Sequence, residues 1–269
     1  MSQQLTQLVK QKALDVGFVS VGITSPNRLV DLPHGWVGQV RQLKTPEEEF
    51  SAVKSIIVLA IHLWDKIFHL NVIPSKTDEP KSASRVSSQQ VYFFGSEIMK
   101  NKAWEIIQLL RTQGYTAIHS KGIPLKSVAV QCGLGWQGKS TLLITPTYGP
   151  RVYLIAVLTD AELEYDHPFE QNLCGACDKC LKACPANALS AYQCEIHRCI
   201  VYALECPKAP EIPDKTQTLE RQLTLRPTPH SYIECSMCMD VCPHGKPAKT
   251  TADSPTNTEA QYFLKPLVV

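Results

Sequence analysis

Apolar residues in positions 5–16 recur at helical spacing, and Gly17 closes the run, which predicts an amphipathic helix. Residues 18–23 then read as a strand. Residues 53–62 are almost continuously apolar, the pattern of a strand covered on both faces. Helical spacing returns over 96–112 and stops near Gly114, while 128–130 and 152–158 read as further strands. Helices and strands alternate, so the expected fold class is an α/β or α+β layered domain. Residues 74–90 are rich in Ser, Lys, Pro and Asp without periodicity and read as a surface loop. Residues 245–259 read as polar linker before a short apolar end at 263–269.

Composition narrows this little. The chain has 269 residues, 44% hydrophobic and 19% charged, enough for one large or two modest soluble domains. A formal charge of +2 supplies no broad electrostatic argument for nucleic acid. The opening residues lack a basic-then-apolar signal, and no stretch reaches the length of a membrane span, so the expectation is a cytoplasmic protein.

The cysteines change the picture. None of the eleven lies in the first 131 residues, and ten fall between Cys174 and Cys242. Cys174, Cys177, Cys180 and Cys184, followed by Pro185, form the run C-x2-C-x2-C-x3-C-P. In that spacing three thiolates hold one [4Fe–4S] cube and the fourth serves a second cube. Cys235, Cys238 and Cys242, followed by Pro243, form a second run. A disulfide scaffold would be small and would spread its cysteines, and zinc explains neither the third cysteine nor the C-P endings.

Two cubes need eight thiolates and the runs supply seven. A duplicated ferredoxin would carry a cysteine three residues before Cys235, but Tyr232 stands there. The free candidates are Cys194, Cys199 and Cys206, with His197 and His230 as weaker donors. Cys199 opens a predicted short helix between the runs. The expected assignment is crossed: Cys174, Cys177, Cys180 and Cys242 for one cube, and Cys184, Cys199, Cys235 and Cys238 for the other. Cys132, Cys194 and Cys206 are left as small buried hydrophobes.

Residues 133–140 satisfy G-x4-G-K-[ST], the letters of a phosphate-binding loop. That mechanism requires a helix opening after Lys139, and 141–150 are short, β-branched and broken by Pro146 and Pro150. A nucleotide-driven reductase would need that helix and saturable ATP binding.

The same segment, taken with the cysteines, resembles the epoxyqueuosine reductases, whose relatives include the corrinoid-dependent reductive dehalogenases. The resemblance is carried by Gly133, Leu134, Gly135, Trp136, Gly138 and Lys139, then Leu142 to Ile144, Tyr148-Gly149, Leu158 to Asp160, the run from Leu173, and Arg198-Cys199-Ile200. It is close over 121–242 and fainter before.

The resemblance implies a nitroreductase-like N-terminal domain over 1–170 that holds a cobalamin, a ferredoxin-like domain with two [4Fe–4S] clusters over 171–250, and a tail over 251–269. It also implies an electron donor protein of ferredoxin or flavodoxin type and a small-molecule or modified-nucleoside substrate. Lys139, Ser140 and Thr141 are then the expected cofactor contacts. The family's proton-donating aspartate lies fourteen residues before the first glycine of the Gly-Leu-Gly-Trp element, where this chain has His119. The family's polar stretch is largely replaced at 92–99, and no helical-repeat domain follows the clusters. Both departures point away from tRNA reduction specifically. The rival class is an electron carrier, or a partner that reduces a corrinoid, with no substrate of its own.

Overall fold

The computed structural model describes residues 2–29, 35–37, 41–73, 91–206 and 209–245. The expected loop at 74–90 and the tail at 251–269 lie outside them.

Along the chain, α1 (Ser2–Asp15) leads into β1 (Ser20–Thr24). A hairpin of β2 (Gly35–Val37) and β3 (Arg41–Leu43) and the short α2 (Pro46–Glu49) precede β4 (Ser55–His62). Then come β5 (Leu70–Val72), β6 (Tyr92–Phe93), α3 (Phe94–Thr112), β7 (Ala117–His119) and α4 (Leu125–Gln131). A second hairpin, β8 (Trp136–Gln137) with β9 (Leu143–Ile144), runs into β10 (Val152–Thr159). The cysteine-rich part holds α5 (Lys179–Ala183), β11 (Leu189–Ser190), β12 (Gln193–Cys194), α6 (Ile200–Glu205), α7 (Asp214–Leu223), β13 (Leu225–Thr228), β14 (Ser231–Ile233) and α8 (Met237–Asp240).

The main sheet has the order β1-β4-β10-β7, and every pairing in it is antiparallel. The architecture is therefore α+β, because parallel βαβ crossovers are not what joins these strands. The near-continuous apolar run of β4 is explained by its two faces. Ile57, Leu59 and Ile61 pack with α1 and α3, whereas Ile56, Val58 and Ala60 pack with Val128, Ala129 and Cys132 on the other side. Side chains alternate along a strand, so a strand between two layers must be apolar at every position. Ile57 is fully buried. Ile57→Ala is expected to cost about 3–4 kcal/mol, read as a lower urea midpoint with an unchanged slope.

One element departs from expectation. Residues 128–130, expected as a strand, belong to the helix α4. Three apolar residues in a row fit either period. Pro124 precedes the helix, and Val128 and Ala129 share its buried side.

The expected boundary at 170 is also crossed by structure. A second sheet has the order β13-β14-β5-β6, so strands from both expected domains pair in it. Tyr232 pairs with Asn71 and is buried. The position where a duplicated ferredoxin would place a cysteine is thus spent on a strand that joins the two parts.

Candidate metal centre

The cysteines sit on turns and one-turn helices, which gather into two sets. Cys174, Cys177, Cys180 and Cys242 line one cavity, together with Lys139 and Ser140. Cys174 and Cys177 close a turn, with the Cys177 N–H donating to the Cys174 carbonyl at 2.9 Å. In the second set, Cys235 feels the charge of Cys199 and Cys184, and Cys238 feels Cys235, Cys199 and Cys184. Cys180 also acts on Cys238, and α5 packs against α8, so the two sets are neighbours. None of the eleven cysteines is paired in a disulfide.

The donor set fits iron–sulfur cubes. Burial pushes the Cys238 thiol up to about 12 and raises Cys180, Cys235 and Cys242 as well. Thiolates are the metal-binding form, so these half-covered sulfurs need cationic metal to offset their desolvation. Among the described residues, no three His, Cys, Asp or Glu side chains converge on a single-ion position. The thiols stand round a hollow, which suits a cube with its own sulfide better than a bare ion. N–H groups are directed at the sulfurs, among them Ala188 N, which donates to Cys184 Sγ at 3.3 Å, and Trp136 Nε1, which donates to Cys174 Sγ at 3.5 Å.

Cys199 stands at the N-cap of α6, and the nearby backbone N–H groups of Tyr202 and Val201 help lower its pKa. The Cys194 thiol donates to it, which is the main reason Cys199 falls to about 6 while Cys194 rises. Cys194 therefore corrects an expectation. It is exposed at the end of β12, not buried filler, because the hairpin with β11 carries it beside Cys199. Cys132 and Cys206 are buried as expected. Of the weaker donors, His230 is exposed in the turn between β13 and β14, and His197 stacks edge-on against Tyr202.

Residues 133–140 form a turn and the strand β8, with no helix opening at Lys139. The phosphate-loop letters are met here for another reason. Lys139 Nζ donates to the Gly175 carbonyl at 2.6 Å, and the Lys139 carbonyl accepts from Tyr192 N at 3.1 Å. Ser140 is buried and Thr141 takes a left-handed turn, φ 64°. Lys139 and Ser140 thus sit at the first cysteine set, where the expectation had placed a separate cofactor.

Three residues that the sequence reading did not single out complete the housing. Arg151 donates to the carbonyls of Met239 (3.1 Å), Asp240 (3.3 Å) and His244 (3.2 Å), holding the chain on both sides of Cys242. His244 Nε2 lies 3.2 Å from the Leu173 carbonyl, tying the two runs together. Glu234, next to Cys235, is held high by burial while Asn71 Nδ2 (2.8 Å) and the Tyr153 hydroxyl (3.5 Å) donate to it. No spacing rule marks such residues, because their partners are brought from far along the chain.

His119 ends β7 opposite Val157 and is half-buried. Burial first, then Lys100 and Lys121, push its pKa below the usual histidine value. The imidazole is therefore neutral at pH 7.

The comparisons agree with this geometry. Residues 173–245 match the family model of the 4Fe-4S double cluster binding domain. The chain carries two [4Fe–4S] clusters. Beyond that domain, it is 26% identical to an epoxyqueuosine reductase of Cyclobacterium marinum over 93% of this chain and 83% of that protein. A second such relative, from Gloeobacter violaceus, is 27% identical over 87% of this chain and 74% of its own length. Likeness is densest in a short stretch, 51% identical over 63 residues to the epoxyqueuosine reductase of Listeria monocytogenes.

Among solved structures, an epoxyqueuosine reductase with a modified tRNA stem loop superposes with a TM-score of 0.65 at 22% identity, covering 91% of this chain. A reductive dehalogenase linked by its description to B12-dependent dehalogenation reaches 0.52 at 19%, covering 82%. The chain spans 66% of the first of these structures and 34% of the second. It is an iron–sulfur oxidoreductase with the epoxyqueuosine reductase fold.

For a corrinoid, the fit is weaker. Lys139 and Ser140, expected to touch one, are occupied at the first cysteine set. No described residue is left assigned to that group, and no chemical step is derived through it.

Proposed function

We propose that this chain passes electrons one at a time through two adjacent cubes to an acceptor held by the N-terminal layers. The ligands are Cys174, Cys177, Cys180 and Cys242 for one cube and Cys184, Cys199, Cys235 and Cys238 for the other. The carrying observation is the crossed gathering: Cys242 from the second run joins the first set, and Cys184 from the first run joins the second. Cubes that share runs lie close together, which suits transfer between them. The shared sheet of β5, β6, β13 and β14 sets the clusters rigidly against the N-terminal layers, as delivery into that part requires.

The acceptor we favour is a corrinoid, supported by the likeness to the B12-dependent fold. If bound, a corrinoid would supply low-potential metal chemistry. His119 is the proposed proton source in its imidazolium form, which its lowered pKa makes the minor form at pH 7, so it must take up a solvent proton before each transfer. A small molecule or modified nucleoside is the proposed substrate, and a ferredoxin- or flavodoxin-type protein the electron donor.

The deciding experiment is anaerobic titration of the reconstituted protein with cobalamin, followed in the visible spectrum. Saturable spectral change at about one equivalent is expected, with about eight irons per chain. Eight irons without cobalamin binding would leave the electron-carrier reading in its place.

A further inference from the structure

Trp136 lies on β8, and its indole Nε1 donates to Cys174 Sγ at 3.5 Å. The ring is 2% exposed and held from two sides. Phe169 stacks on it at 5.6 Å and 30°, and His244 meets it edge-on at 5.0 Å and 87°. The strand is pinned by pairing with β9, Trp136 opposite Ile144. Phe169 is itself anchored, its N–H donating to the Val130 carbonyl at 2.9 Å. The indole is locked, so its N–H stays on the sulfur instead of sampling other partners.

We propose that Trp136 is a positioning residue that sets the potential of the cube at Cys174, Cys177, Cys180 and Cys242 by donating its indole N–H to the Cys174 sulfur. The proposal rests on the two-cube reading above. Each cube takes one electron, from the 2+ to the 1+ state, and the added negative charge is shared with its sulfurs. A donor on a ligand sulfur stabilises the reduced state more than the oxidised one, so it raises the potential. The other set has its own donors, Ala188 N on Cys184 and the Cys194 thiol on Cys199, so the indole N–H acts on the first set only. Trp136 therefore raises the potential of the Cys174 cube above the value it would have without the indole donor. The Gly-Leu-Gly-Trp segment takes on the role of a strap, with Lys139 on the cluster loop at one point and Trp136 on a ligand at another.

The test is Trp136→Phe, which keeps an aromatic ring against Phe169 and His244 but removes the N–H. Both proteins are titrated with dithionite under mediators, and the reduced cubes are followed by EPR. At fixed potential, the reduced-to-oxidised ratio of one cube is expected to fall about tenfold, ~59 mV for a one-electron couple, with the other cube unmoved. Unchanged midpoints with about eight irons retained would overturn the proposal and leave the two-cube reading intact. About four irons in the wild type would sink that reading instead. Should the variant fail to assemble, the wild-type protein labelled with 15N-indole tryptophan supplies the second measurement. A 15N hyperfine coupling to the reduced cube is expected, and its absence would overturn the assignment.

Discussion

Cys199→Ser should strip one cube and spare the other, lowering iron from about eight to about four per chain. Among the described residues, Cys199 is the cysteine outside the two runs whose charge acts most on both Cys235 and Cys238 in the second set. Its sulfur is also the one held toward the thiolate, by the Cys194 thiol and by the N–H groups of Val201 and Tyr202. The ligand is the thiolate, so the sulfur that its surroundings keep anionic is the better ligand. Cys194→Ser is the matched control, because the two thiols are hydrogen-bonded neighbours. It should retain about eight irons. The reverse pattern, full iron in Cys199→Ser and half in Cys194→Ser, would transfer the eighth ligand to Cys194. Iron and sulfide analysis with EPR spin counting reads both.

Gly149→Ala is expected to be strongly destabilising and to loosen the chain next to Cys242. Gly149 has φ 58°, and a Cβ there would lie 2.0 Å from the His244 carbonyl oxygen and 3.3 Å from Gly245 N. Both are backbone atoms, so the chain itself must move apart. That contact lies two residues beyond Cys242, on the segment that Arg151 also holds. Left-handed strain in alanine costs ~1–2 kcal/mol, and the forced separation brings the total to about 3 kcal/mol or more. Gly114→Ala isolates the first part, since Gly114 has φ 85° and nothing within 4 Å of the added Cβ. Thermal unfolding should rank Gly149→Ala well below Gly114→Ala. Iron release to a chelator should accelerate only in the former. Equal Tm losses with equal iron retention would show that the turn at Gly149 does not brace Cys242.

Legibility in the sequence followed the range of the interactions involved. β4 and β10 were readable because a strand buried on both faces must be apolar at successive positions. α1 and α3 were readable because an amphipathic helix repeats over several turns. The short apolar stretch at 128–130 was not, since three residues cannot distinguish two periods and the decision fell to packing on Ile56 and Val58. Lys139 shows the same limit from the chemical side. Its motif matched a phosphate loop letter for letter, yet its ammonium is directed by a carbonyl 36 residues later.

What the sequence alone determined is the chemistry: spacings of two and three residues between cysteines are local geometry, and local geometry is written in the chain. It also exposed the missing eighth ligand, by arithmetic. Which cysteines stand together, why Tyr232 replaces a ligand, that Cys194 lies beside Cys199, and that Trp136 and Arg151 reach the cysteine runs were decided by tertiary structure. Except for the local hairpin that carries Cys194, those relations join residues far apart in the chain, and only the folded sheets and the turn at Gly149 bring them together.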